Sequence, residues 1–146
     1  MTRIERSALM PFPVEQVFAL VNDIEAYPQY MDGCVGAQVL RSEGDVVEAR
    51  LDLSRGGVRQ SFSTRNRARA PHAIELELLE GPFEHFAGSW QFLALGEAAC
   101  KVSLDLQFKL RGGLLGAAAG KLFESVAPTL VDAVDQRARQ LFGTSA

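Results

Sequence analysis

Histidine and cysteine are both scarce in this 146-residue chain, which has two of each. Cys34 and Cys100 stand far apart with no CxxC pair, which excludes the usual zinc spacings and a disulfide framework. Cys34, next to Gly33, is expected to be exposed, and Cys100, opening a strand, to be buried. His72 and His85 are too scattered to assemble a metal centre. That cysteine usage leads to the expectation of a reduced, cytosolic setting. No run of about 18 apolar residues occurs, so no membrane-spanning helix is expected. MTRIERSALMP carries charge where a signal peptide would carry its apolar centre, and surface association with a membrane stays open. A basic surplus is also missing: 15 Lys and Arg stand against 18 Asp and Glu, a net charge of -3. Such a balance gives no reason to expect nucleic acid as the main partner, and no DNA is expected. Neither a GxxxxGK[ST] phosphate loop nor a nucleophile elbow is present.

What is there is the composition of a globular domain, 47% hydrophobic and 23% charged. The length suits one domain, and no repeat, linker or second domain is visible, so residues 1–146 are read as a single unit. Residues 2–10 read as a strand that Pro11 and Pro13 stop. Val14, Val17, Phe18 and Val21 then recur at helical spacing, with Pro13 near the first turn. Ile24, Tyr27, Tyr30 and Met31 share a second short helical face, and Pro28 keeps the two helices from forming one rod. From Gly33 the period becomes two. Strands are expected over 35–41, 46–54, 58–68, 73–80, 85–95 and 101–110, joined by turns such as Glu43-Gly44-Asp45 and Arg55-Gly56-Gly57. Residues 114–142 read as a long helix with a broad apolar face that includes Leu115, Leu122, Phe123, Val126 and Val134, and with Pro128 marking a kink or a joint. The expected architecture is α+β: a strongly curved antiparallel sheet of about seven strands wrapped around one long C-terminal helix, with two short helices after the first strand. A gap between helix and sheet would form a cavity, and function is read from that gap.

Catalytic arrangements are weakly represented. Asp23, Glu25 and Asp32 are close in sequence, but helix ends attract acids without any chemistry. Both histidines read as structural or surface residues. For acid–base work, only Glu84, His85, Tyr27 and Arg65 are candidates. The strand VRQSFSTRNRA divides by parity. Arg59, Arg65 and Arg67 fall on one side with Ser61 and Ser63. Phe62, Thr64 and Asn66 fall on the other. With Phe62 inward, Thr64 and Asn66 either line the interior, which calls for hydration or a ligand with a polar head, or protrude into solvent. The arginines either pair with Glu75 and Glu77 on the next strand or offer a docking surface to an acidic or phosphate-bearing partner. Phe62, Phe86, Trp90, Phe92, Phe108 and Phe123 converge between sheet and helix, as a filled core or as the wall of a pocket of roughly 300–1,000 Å³. Gly88 leaves room on that same face.

The chain resembles the START-like, helix-grip superfamily, and within it the coenzyme Q-binding START-domain family. That family's bacterial branch is also labelled oligoketide cyclase/lipid transport protein or ribosome association toxin. The resemblance rests on Pro13, Val17, Phe18 and Val21, on DIEAYPQY at 23–30, on GPF at 81–83, on Trp90 and Phe92, and on Gly112-Gly113-Leu114-Leu115 with the helix that follows. It covers residues 3–143. Family members commonly carry a tryptophan soon after the Tyr-Pro step; here the residues are Met31-Asp32-Gly33-Cys34.

The resemblance implies a cavity for ubiquinone or a lipid, with no other cofactor and no metal, in support of respiratory electron transport. The implied ligand-binding residues are Tyr27, Tyr30, Phe62, Thr64, Asn66, Phe86, Trp90, Phe92, Phe108, Phe123 and Val126. Tyr27 and Tyr30 would border the entrance, against the alternative that they seal a solid core. A cytoplasmic protein with peripheral contact to the inner membrane fits that role. The resemblance also implies a second activity, binding of the large ribosomal subunit that hinders subunit joining, for which Arg59, Arg65 and Arg67 are the docking candidates. The main expectation is thus a non-catalytic carrier of a quinone or lipid. The alternatives are a ribosome-binding protein and, last, a polyketide cyclase or aromatase.

Overall fold

Alternating apolar residues make the strands, and glycine-rich turns join them. A computed structural model describes residues 1–143, and of Leu114 and Leu115 the backbone only. The side chain of Leu115, assigned above to the apolar helix face, and residues 144–146 lie outside the described residues. The chain runs β1 (Thr2–Met10), α1 (Val14–Asn22), a 3-10 turn (Ile24–Gln29), β2 (Cys34–Glu43), β3 (Val46–Arg55), β4 (Val58–Arg69), β5 (Ala73–Glu80), β6 (Phe83–Ala94) and β7 (Cys100–Leu110). It ends with α2 (Leu114–Val126), a short 3-10 piece (Ala127–Thr129) and α3 (Leu130–Phe142). Strands β3 and β4 meet in a two-residue turn, where Gly56 and Gly57 take φ of 60° and 81°. Only glycine adopts that pair of angles cheaply, and it matches the twist of the hairpin.

The seven strands form one antiparallel sheet in the order β1-β7-β6-β5-β4-β3-β2. Here the expected architecture needs correction. The ladder runs from a free edge at β1 to another at β2, so the sheet is open, neither strongly curved nor closed around a helix. Nor is the covering element one long helix. It breaks at Ala127–Thr129, where Pro128 lacks the N–H that a continuous helix would use. Ser125 Oγ donates to Leu122 O (2.8 Å) and Thr129 Oγ1 to Val126 O (2.7 Å), which satisfies carbonyls around the break. The physical reason for the difference is shared covering. Helix α1, the 3-10 turn, α2 and α3 divide the apolar face among them, so the sheet has no single rod to roll around.

That apolar face is continuous. Val102, Leu104, Leu106 and Phe108 of β7 are buried in strict alternation, and Phe86, Trp90 and Phe92 of β6 are buried beside them. Each such side chain contributes about 1.5–3 kcal/mol by leaving water. Val14, Val17, Phe18 and Val21 press the buried side of α1 against the same core, and Phe18 meets Phe92 edge-on at 5.2 Å. The turn that follows is tied down by its two tyrosines. Tyr27, buried, donates its hydroxyl to Val21 O at the end of α1. Tyr30 packs edge-on against Tyr27 at 6.1 Å and lies beneath the Arg137 guanidinium of α3, 5.4 Å from the ring centre. Burial pushes the ionisation of both phenols upward.

The outer face is polar and laced by ion pairs. Arg3 meets Asp105 (2.9 Å), Arg65 meets Glu48 (2.9 Å), and Arg69 meets Glu75 (3.3 Å). Asp52 accepts from Ser61 Oγ and from Arg50 Nε (3.0 Å). The Ser61 hydroxyl, with Arg50 beside it, holds the Asp52 carboxyl below its ordinary value of 3.8.

These bonds can be tested by removing them. Tyr27→Phe should lower stability by about 1 kcal/mol, since it orphans the Val21 carbonyl. Tyr30→Phe should cost nothing in urea denaturation, because the Tyr30 hydroxyl has no hydrogen-bond partner among the described residues. Equal losses for the two would contradict the assignment. Ser61→Ala should cost about 1 kcal/mol at neutral pH. The folded Asp52 releases its proton at lower pH than the unfolded chain does, so its contribution is complete above 3.8 and fades as pH falls through the lowered value. Urea titrations of both proteins from neutral pH downward should show the difference closing; a constant difference would remove the linkage.

Candidate functional site

The inner face of the sheet meets the helical layer imperfectly at one place, where α2 bends into α3 beside the 3-10 turn. A cavity of about 70 Å³ lies there. Its floor is β3, β4, β5, β6 and β7, and its roof comes from Ile24, Tyr27, Met31, Val126, Ala127 and Leu130. Gly33 seats β2 under this roof. Its φ of 89° suits glycine, and a Cβ there would stand 2.6 Å from a Val126 methyl group.

Among the residues expected to bind a ligand, Tyr27, Phe62, Thr64, Asn66, Phe86, Trp90, Phe123 and Val126 are brought together around this cavity. Tyr30, Phe92 and Phe108 are not. Phe108 is fully buried behind Phe123, their ring centres 4.7 Å apart. Phe92 lies farther along β6 against α1. Tyr30 sits outside Tyr27, so Tyr27 forms wall and Tyr30 packs over its outer side. The space expected at Gly88 is occupied, since a Cβ there would stand 2.5 Å from Leu106 and 3.3 Å from Leu76.

Further wall residues are Cys34, Ala49, Leu51, Leu53, Leu76, Leu104 and Leu106. Strand alternation marks the aliphatic ones as inward, but a search for aromatics passes over them. Cys34 carries no such signal, and its expected exposure is not observed. It is buried, its thiol lies 3.5 Å from Gly36 O as donor, and burial pushes the thiol pKa up. Cys100 is buried, as expected of it.

Besides the Tyr27 hydroxyl and the Cys34 thiol, the polar wall groups are on β4. Thr64 and Asn66 are 7% and 9% exposed, so of the two readings the interior one is observed. Thr64 Oγ1 donates to Asn66 Oδ1 at 2.6 Å. On the opposite side of β4, Arg65 lies between Glu48 and Glu77 (2.9 and 3.9 Å). Arg59 and Arg67 are exposed, and neither is ion-paired among the described residues. Glu75 pairs with Arg69, although Arg67 is its register partner.

The acid–base candidates do not converge. Glu84 pairs with Lys109 (3.1 Å) and His85 is exposed; Arg65 is on the outer face, and only Tyr27 reaches the cavity. Nor do the early acids pair with each other: Glu25 accepts from Val39 N (3.1 Å) and Asp32 from Arg55 (2.9 Å). Among the described residues no cluster of three or more His, Cys, Asp or Glu is placed to hold a metal ion. None of the described helices is long and apolar enough to cross a membrane.

Comparison with known proteins places this architecture. The family model described as "Polyketide cyclase / dehydrase and lipid transport" matches residues 10–135. A Pseudomonas aeruginosa protein named Ribosome association toxin RatA is 46% identical over 97% of this chain and 99% of its own length. The mitochondrial Coenzyme Q-binding protein COQ10 of Dictyostelium discoideum is 23% identical over 97% of this chain and 71% of its own. The crystal structure of the Zhui aromatase/cyclase from Streptomyces sp. R1128 superposes with a TM-score of 0.85, covering 99% of each chain at 15% identity, a likeness of fold alone. The chain therefore belongs to the polyketide cyclase / dehydrase and lipid transport family, within the START-like helix-grip superfamily.

Proposed function

We propose that this chain acts at the ribosome, binding it and hindering the joining of its subunits, with no chemistry of its own. The observation that carries the proposal is the 46% identity, along nearly the whole of both chains, with a protein named Ribosome association toxin. The geometry supports it against the quinone carrier. A cavity of about 70 Å³ falls well below the roughly 300–1,000 Å³ of ordinary ligand pockets, and a long isoprenoid tail would not fit. The absence of chemistry is part of the proposal, supported by the dispersal of Glu84, His85 and Arg65 away from the cavity and by the Tyr27 hydroxyl being spent on Val21 O. A cytoplasmic location follows from this reading.

Arg59 and Arg67 are the docking residues of this proposal, because their guanidinium groups are exposed without a carboxylate partner among the described residues. Arg65 is not one of them, since its charge is shared with Glu48 and Glu77. A second reading, in which the cavity takes an apolar ligand, is favoured by the apolar wall and by the Dictyostelium relative named for coenzyme Q binding.

Sucrose-gradient sedimentation at low salt should place the chain with the large subunit and reduce the fraction of joined ribosomes. Raising salt from about 50 to 200 mM should release it. An Arg59→Ala/Arg67→Ala double variant should bind more weakly, with a salt slope smaller by about one per lost phosphate contact, while Arg65→Ala should bind as the parent does. Absence of the chain from every ribosomal fraction at low salt would end the proposal.

A further inference from the structure

The two edges of the sheet are closed to different degrees. β2 is bulged twice along its pairing with β3, at Cys34/Gly36 and at Val39/Arg41, and the Glu25 carboxylate takes the Val39 N–H (3.1 Å). Bulges and occupied amides of this kind blunt an edge against further pairing. β1 instead runs in unbroken register with β7 from Thr2 to Met10, and Thr2, Arg3, Glu5, Arg6 and Ser7 are exposed.

Which backbone groups leave the β1 edge follows from the ladder. At the β6–β7 turn Leu95 N donates to Ala99 O (2.9 Å), so odd-numbered residues of β7 bond β6 and even-numbered ones bond β1. Ile4 stands opposite Leu106 and Arg6 opposite Leu104, so the even-numbered residues of β1 are the ones engaged with β7. Arg3, Glu5 and Ser7 therefore aim N–H and C=O outward, and Glu5 O accepts from the Arg6 guanidinium there (2.7 Å). On the outer face Glu5 stands directly opposite Asp105. Like charges so placed repel, and one guanidinium, that of Arg3, reaches both, at 2.7 Å and 2.9 Å.

The charges make β1 its own antiparallel complement in one register. With Ile4 against Ile4, Arg3 of one copy faces Glu5 of the other, and in such pairs the outward backbone groups exchange both their bonds. Neighbouring registers set Arg3 on Arg3 or Glu5 on Glu5, and the one beyond sets Arg6 on Arg6. We infer that β1 is an interaction edge for a second copy of this chain, the two strands pairing antiparallel about Ile4 with Arg3 and Glu5 matched across the join. The pairing is independent of the cavity and of the ribosome. A strand-edge contact buries less than the roughly 1,200 Å² of a stable interface, so the dimer is weak and concentration-dependent.

Sedimentation velocity of the full chain at low salt should show monomer passing to dimer between micromolar and millimolar concentration. Arg3→Glu and Glu5→Arg should each weaken the dimer by about tenfold or more, and the Arg3→Glu/Glu5→Arg double variant should recover it. Both positions are exposed, so these variants leave the core intact. An oxidised mixture of Arg3→Cys and Glu5→Cys variants should cross-link mainly between the two, since the Cα atoms of such a pair lie about 5.5 Å apart, within disulfide reach. Cys34 and Cys100 are buried and do not compete. A parent that stays monomeric at millimolar concentration would overturn the inference. So would a dimer indifferent to both charge reversals, or cross-links formed equally within each variant.

Discussion

Phe123 is where the helical layer and the sheet lock together. Its ring centre lies 4.7 Å from Phe108, 5.2 Å from Phe83, 5.8 Å from Phe62 and 6.0 Å from Phe86, so one side chain of α2 engages three strands. The planes meet nearly edge to face, the geometry in which the positive rim of one ring meets the negative face of another. Each such pair adds about 0.5–1.5 kcal/mol beyond the area it buries. Because the four partners are fixed by strand register, Phe123 sets where α2 lies, and with it the place where α2 must bend. Pro128 then makes the bend possible at the next turn. The cavity is what that arrangement leaves over, the space between a helix pinned at Phe123 and a turn pinned by Tyr27.

Strand β4 shows how one segment serves two environments. Its inner parity carries Phe62, Thr64 and Asn66 into the cavity, and its outer parity carries Arg59, Arg65 and Arg67. The acids of β3 and β5 stand against the outer parity in register, Glu48 and Glu77 both opposite Arg65. Partly exposed pairs of this kind stabilise little, of order 0–1 kcal/mol each. Their larger effect is to neutralise the middle of the strand while leaving cations at positions 59 and 67. A net charge of -3 therefore coexists with local positive charge where a phosphate-bearing partner could be met.

Strand number, the hairpin succession from β2 to β7 and the two-part beginning are legible in the sequence because they follow from local rules, whereas the pairing of β1 with β7 across about a hundred residues does not. Alternation in β5 and β7, paired glycines at 56 and 57, and prolines at 13 and 28 each act within a few residues. Period-two alternation likewise assigns Phe62, Thr64 and Asn66 to one face of β4. What local rules do not contain is how several covering elements share one face. Reading residues 114–142 as a single covering rod leads to a strongly rolled sheet and a large hollow, whereas four helical segments cover an open sheet. Filling is equally hidden. Gly88 has no side chain of its own, but Leu76 and Leu106 on the flanking strands occupy its place, a three-strand relation that no single segment records. The burial of Cys34 escapes a local reading for a similar reason, since it depends on Val126 lying across Gly33 from nearly a hundred residues away.

Fold alone says little about function in this architecture, because the topology is indifferent to what fills the gap beneath the bend. A leucine or phenylalanine on the wall can change to a smaller residue without altering any strand pairing, at a cost of about 2–5 kcal/mol. A family can therefore pass between a solid interior and a hollow one by a few substitutions at wall positions. In this chain Phe123, Leu106 and Trp90 hold the interior nearly full. Where the wall departs from hydrocarbon its groups are already engaged, the Tyr27 hydroxyl with Val21 O, the Cys34 thiol with Gly36 O, and Thr64 with Asn66.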